Sequence, residues 1–112
     1  MLWRWVKGRQ QTGYDKLLIA TGKYPLPFDA YLLRYREGTY IPPHQDPVDN
    51  ARHYRLNVIL KNSAMGGEFI CNKVIWSTSR IKLFRSDISI HSVSRVDKGT
   101  RYVLRIGWLR KP

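Results

Sequence analysis

The chain carries a single cysteine, Cys71, which excludes an intramolecular disulfide and a zinc site built on thiolates and suits a reducing cytoplasm. Acidic residues are also scarce: 8 Asp and Glu stand against 20 Lys and Arg, for a formal charge of +12. Because the basic residues run along the whole length, the field favours an acidic or polyanionic partner, a nucleic acid or an acidic protein, without dictating a fold. Long hydrophobic runs are missing too. The start, "MLWRWVKGRQQTGYDKLL", lacks the apolar stretch of a signal peptide or membrane span. The expectation is an untargeted cytoplasmic protein with no membrane partner. At 112 residues, the chain 1–112 reads as one domain that hides roughly two thirds of its unfolded surface.

Helical signal is confined to Tyr14 to Ala20, "YDKLLIA", where one short apolar stripe precedes Gly22. From Asp29 onward short alternating runs take over: "DAYLLRY", "RLNVIL", "GEFIC", "RIKLF", "ISIHSV" and "RYVLRIGWL". Clusters of Pro, Gly, Asn, Ser and Asp separate them, the pattern of an antiparallel sandwich or partly closed barrel. In the last run, alternation puts Tyr102, Leu104, Ile106 and Trp108 on one face and Arg101, Val103, Arg105 and Gly107 on the other. The aromatic face calls for a cover. Trp3, Trp5, Leu17 and Leu18 are the candidates within the chain, and a second copy or partner subunit the alternative.

The stretch "YREGTYIPPHQDP" sets His44 and Asp46 two residues apart. In an extended strand both project from one face, so they can offer an imidazole nitrogen and a carboxylate oxygen to one ion. A second histidine would complete a facial triad with open positions, the arrangement that suits Fe(II); His53 and His91 are the candidates. By itself the pair is also compatible with a solvated strand end. Arg101 lies ten positions past His91, and a guanidinium there would suit the far carboxylate of a metal-chelating dicarboxylate. Asn57 shares a face with Arg55 and Ile59 in "RLNVIL".

Taken in order, "YREGTYIPPHQD", "GGEF" and "LFRSDISIHSVSRVDKGTRYVLRIGW" resemble the Fe(II)- and 2-oxoglutarate-dependent oxygenases, in particular their prolyl-hydroxylase-like branch. The resemblance runs from about Tyr31 to Trp108. It implies a mostly β protein, a double-stranded β-helix or distorted jelly roll over about 28–110, behind the short N-terminal helical segment. By that resemblance His44, Asp46 and His91 match the iron ligands, Arg101 the partner of the C5 carboxylate of 2-oxoglutarate, and Tyr35 a second donor to it. Asn57 would sit near the metal-chelating end. Fe(II), 2-oxoglutarate and O2 are the implied cofactor and co-substrates, with ascorbate in support. The implied reaction hydroxylates, or oxidatively demethylates, a substrate with release of succinate and CO2. Leu33, Ile59, Phe84 and Val93 would supply a dry lining. The chain departs from the pattern where some branches carry Ser or Thr and it has Val103, and in the short segment ahead of the barrel, which implies a large substrate or a completing partner.

Two other readings stand beside the oxygenase: a metal-binding hydrolase or isomerase on the same barrel, and a basic nucleic-acid-binding module that keeps the fold without turnover. Arg34, Arg36, Arg52, Arg55, Arg80 and Arg85, interleaved with Tyr31, Tyr40, Tyr54 and Trp76, could form a nucleic-acid groove or a solvated basic surface. The Gly66-Gly67 pair reads as a tight turn and Glu68 as solvent-facing.

Overall fold

The computed structural model describes residues 5–7, 14–23, 27–48 and 50–111. Every regular element among them is a strand: β1 (Trp5–Lys7), β2 (Asp15–Gly22), β3 (Phe28–Tyr35), β4 (Ile41–His44), β5 (Arg52–Lys61), β6 (Met65–Gly66), β7 (Phe69–Cys71), β8 (Trp76–Ser77), β9 (Ile81–Arg85), β10 (His91–Val93), β11 (Val96–Lys98) and β12 (Arg101–Arg110). No helix among the described residues is long and apolar enough to cross a membrane. The alternating runs from Asp29 onward are thus strands, as their period of two predicts.

A seven-stranded sheet has the order β1-β2-β3-β12-β5-β9-β8, and a three-stranded sheet the order β4-β10-β7. The two face each other across a core in which Leu33, Tyr35 and Val103 of the large sheet meet Ile41 and Val93 of the small one, with Tyr14 and Val96 completing the cluster. β12 lies at the centre of the large sheet. Its inward residues Arg101, Val103 and Arg105 stand opposite Tyr35, Leu33 and Tyr31 of β3, while Val103, Arg105 and Gly107 stand opposite Ile59, Asn57 and Arg55 of β5. β4, "IPPH", is an edge strand, the place where a proline without a donor N–H is tolerated.

The N-terminal helix expected over Tyr14 to Ala20 is not there: Asp15–Gly22 is strand β2, paired along its length with β3. A short apolar run such as "LLIA" has no period of its own to separate helix from strand, and the pairing with β3, Leu17 against Leu32 and Leu18 against Tyr31, decides it. The expected covering layer fails for the same reason. Trp5 pairs with Leu17, so Trp5, Leu17 and Leu18 extend the large sheet and cannot lie over it; Trp3 lies outside the described residues.

β6 and β11 make a separate two-stranded ribbon. Gly66 and Gly67 both take left-handed backbone, φ 75° and 72°, as a tight turn requires, and the Gly67 N–H donates to the Arg95 carbonyl at 3.0 Å. A Cβ on Gly66 would run into that Arg95 carbonyl oxygen. Glu68 beyond it is exposed.

Candidate metal centre

The register of the small sheet sets His91 of β10 directly opposite His44 of β4. Both histidines are oriented alike, since the Nδ1 of His44 lies 2.8 Å from the Pro42 carbonyl and that of His91 2.9 Å from the Ser89 carbonyl. A carbonyl only accepts, so each ring donates from Nδ1 and turns Nε2 toward the interior. Asp46 meets them there: its Oδ2 lies 3.3 Å from His91 Nε2 and 3.7 Å from His44 Nε2. The segment after β4 is pinned by the Asp46 N–H, which donates to the Ser86 carbonyl at 2.7 Å, and by Gln45 Nε2, which donates to the Ile88 carbonyl at 2.6 Å.

One donor atom from each of the three residues lies within 4.8 Å of the others. Two imidazole nitrogens and one carboxylate oxygen on one side of an ion are a donor set that suits a divalent first-row metal. His91 is 4% exposed and its Nε2 is buried without a hydrogen-bond partner, a costly state for a polar atom that a metal would relieve. On those grounds the three side chains fit an iron-type ion.

Arg55 on β5 adds a feature that the sequence did not announce. Its Nη1 donates to Asp46 Oδ2 at 3.0 Å, and both side chains are 11% exposed. Burial works against the charge of Asp46, but the close contact with His91 and the charge of Arg55 outweigh it and hold the carboxyl well below the usual carboxylate range. Burial first, then repulsion from Arg105, pulls Arg55 down to about 10, still charged at neutral pH.

From the triad a pocket runs between the sheets toward the Arg101 end of β12, lined by Arg55, Asn57, Arg105, Val103, Tyr35 and Arg101 among others. The free space between these side chains is about 40 Å³, room for about one water. Arg101 is 3% exposed, its Nε has no partner, and its guanidinium sits 5.6 Å from the centre of the Tyr35 ring. Tyr35 is stacked on Tyr14 at 5.5 Å. Burial pushes the Tyr35 hydroxyl up to about 12, against the pull of Arg105 and Arg101, so it stays protonated and able to donate. Asn57 also lines the pocket, with its Oδ1 unpartnered.

The structure therefore brings His44, Asp46 and His91 into one cluster and gathers Arg101, Tyr35 and Asn57 along the same pocket. His53, the other third-ligand candidate, is not in the cluster; it stands on β5 opposite Leu109. Of the arginines considered for a nucleic-acid groove, Arg55 points inside, Arg34 and Arg36 each reach Asp15 at 3.0 Å, and Arg85 pairs with Asp87. Arg55, Arg105 and Tyr14 are among the pocket residues that the sequence did not mark out for the site. The alternation that turned Asn57 and Arg101 inward also turned Arg55 and Arg105 inward, and that was the available signal.

Two facing antiparallel sheets with a His-Asp-His cluster between them define a jelly-roll barrel of the kind that the prolyl hydroxylases share. Solved structures bear this out. A prolyl-4-hydroxylase from Pseudomonas putida is similar over 96% of this chain and 78% of its own, at TM-score 0.70 and 16% identity. KdgF from Halomonas sp. matches over 96% and 87%, at 0.65 and 15%. The viral collagen prolyl hydroxylase of Paramecium Bursaria Chlorella virus-1, in complex with 2OG, matches over 76% of this chain and 59% of its own, at 0.57 and 22%. At these identities the likeness establishes the fold. No protein-family model and no curated protein matches the chain.

Proposed function

We propose that the protein is an Fe(II)- and 2-oxoglutarate-dependent dioxygenase that hydroxylates or oxidatively demethylates its substrate. The observation that carries this reading is the pairing, in one pocket, of the His44, Asp46 and His91 cluster with the buried, unpartnered guanidinium of Arg101. A hydrolase on the same barrel has no use for that arginine. His44, Asp46 and His91 would hold the iron. Bound there with 2-oxoglutarate and O2, the metal supplies oxidative decarboxylation to succinate and CO2 and the oxidation of a substrate C–H bond.

The rest of the task falls to the chain. Arg101 binds the far carboxylate of the co-substrate, because a planar guanidinium can give two parallel hydrogen bonds to it. Tyr35, protonated through the working range, donates a further one. Asn57 offers polar contact nearer the metal. Leu33, Phe84 and Val93, at 2%, 0% and 5% exposure, keep stray water and hydrogen donors from the centre.

Thermal unfolding with Mn(II) alone and with Mn(II) plus 2-oxoglutarate tests the reading, since a ligand that binds only the folded state raises the midpoint. The expected result is an added rise with 2-oxoglutarate, lost in Arg101→Met while the metal effect stays. Equal midpoints with and without 2-oxoglutarate would point instead to a metal-binding barrel without that co-substrate. The substrate we read as a macromolecule, nucleic acid or a protein side chain, from the +12 charge; succinate release with and without each candidate, over Fe(II) and ascorbate, would separate them.

A further inference from the structure

The charges that line the pocket do not balance. Three guanidinium groups, Arg55, Arg101 and Arg105, share it with one carboxylate, Asp46, and Asp46 is taken by Arg55 at 3.0 Å. Among the described residues no carboxylate forms an ion pair with Arg101 or Arg105. Each rests on a tyrosine ring, Arg101 on Tyr35 at 5.6 Å and Arg105 on Tyr31 at 5.1 Å, and each keeps a buried Nε without a partner. A cation–π contact contributes about 0.5–2 kcal/mol, well short of what a buried cation loses in leaving water. The pocket is left with positive charge that no described carboxylate matches.

Both arginines project from the inward face of β12, Arg101 opposite Tyr35 and Arg105 opposite Tyr31. Four residues of strand span about 13 Å, a gap that two long, flexible side chains can close onto a short ligand from its two ends. Between them stands Val103, which cannot contribute the hydroxyl that some branches of the resembled family place there. Arg105, at the next inward position, brings a full charge instead, one row from Arg55 and the triad and directly opposite Asn57.

We propose that Arg101 and Arg105 form a two-guanidinium clamp that grips a short dicarboxylate at both ends, so that this class of ligand binds even without metal. The inference rests on the oxygenase reading for the choice of a five-carbon dicarboxylate, and it adds the second anchor and the independence from metal. On binding, both guanidinium groups leave the tyrosine rings for the ligand carboxylates, and the small free space between them widens accordingly.

The test uses the full chain in excess EDTA. Glutarate has both carboxylates but no keto oxygen with which to chelate, and butyrate has only one carboxylate. Calorimetric titration is expected to show glutarate at least about tenfold tighter than butyrate, a difference of about 1.4 kcal/mol. Arg105→Met is expected to abolish that preference, and Arg105→Lys to recover part of it by returning the charge. Equal affinities for glutarate and butyrate in the unaltered protein would overturn the clamp, and this arm needs no variant to fold. Glutarate binding unchanged in Arg105→Met would overturn the role of Arg105.

A parallel titration with Mn(II) compares 2-oxoglutarate with glutarate. A gain for 2-oxoglutarate there, without any preference in EDTA, would remove the clamp and leave the oxygenase reading standing. The preference in EDTA without a gain on Mn(II) would keep the clamp and remove the oxygenase reading.

Discussion

The two faces of the large sheet differ in how they mix charged and apolar side chains. Its inner face sets Arg101 and Arg105 of β12 and Arg55 and Asn57 of β5 among the buried Leu33, Val103 and Ile59. Its outer face, which should be polar, carries Leu104 between Leu32 and Val58, Ile106 between Ala30 and Leu56, and Trp108 between Phe28 and Tyr54. The outer residues of β12 are only partly exposed, since neighbours along the sheet shield one another, with Trp108 stacked on Tyr54 at 5.8 Å. An antiparallel sheet ordinarily turns its apolar side inward. The contrast teaches that the inner face gives up part of its apolar packing to place charged side chains along the pocket.

If the inner face serves the site it looks onto, the largest effect should come from the metal-ligand cluster on and just after the strands of the small sheet. His91→Ala is expected to cut Mn(II) affinity by more than the roughly 10–100-fold that loss of an outer-sphere partner costs, and to reduce succinate release to background. Metal titration and a turnover assay check this, and unaltered turnover would break the assignment. Next comes Arg55→Met, which strips a buried carboxylate of its pair. A loss of about 3–5 kcal/mol in urea unfolding is expected, and a loss below about 1 kcal/mol would place the pair among solvent-screened ones.

Tyr35→Phe removes one hydroxyl and keeps the ring stack on Tyr14. The expected cost is about 1.5 kcal/mol, the lower end for a hydrogen bond to a charged group, read as about a tenfold weaker 2-oxoglutarate affinity on Mn(II). The outer face should respond least. Ile106→Thr is expected to leave ligand affinity within about twofold and stability within about 1 kcal/mol, while reducing the self-association that added salt should promote as it screens the +12 charge. Sedimentation at low and high salt tests that last expectation, and a drop in ligand affinity would show that the faces are not independent.

Much of this was legible in the sequence because the barrel strands alternate strictly and the chemistry depends on local spacing. His44 and Asp46 stand two apart, with His44 ending β4 and Asp46 just past it, where the Ser86 carbonyl holds its N–H. The same alternation put Arg101 on one face of its run and Asn57 with Arg55 and Ile59 on one face of theirs. What could not be read was pairing at long range. "YDKLLIA" has no decisive period, and only β3 across from it makes it a strand. Arg55 was visibly on an inward face, yet its meeting with Asp46 depends on how the large sheet lies over the small one, which no local pattern encodes. Arg105 shares a face with Arg101, yet its place beside Asn57 of β5 depends on strand pairing at long range.

The Gly66-Gly67 turn sets a limit on how this protein can vary. A side chain at Gly66 would strike the Arg95 carbonyl and one at Gly67 would crowd Val96 and Ser63, each on a left-handed backbone that side chains disfavour. The ribbon of β6 and β11 ends at Lys98, one residue before Gly99 and three before Arg101, so a disturbance there is passed to the strand that carries Arg101 and Arg105. In a saturation library selected for folded protein, positions 66 and 67 should come back as glycine alone, while exposed Ala64, Met65 and Glu68 beside them diversify freely. Variation in this wall of the barrel is thus channelled into side chains around a fixed hinge of two glycines, and the binding groove beside it can change its lining without changing its path.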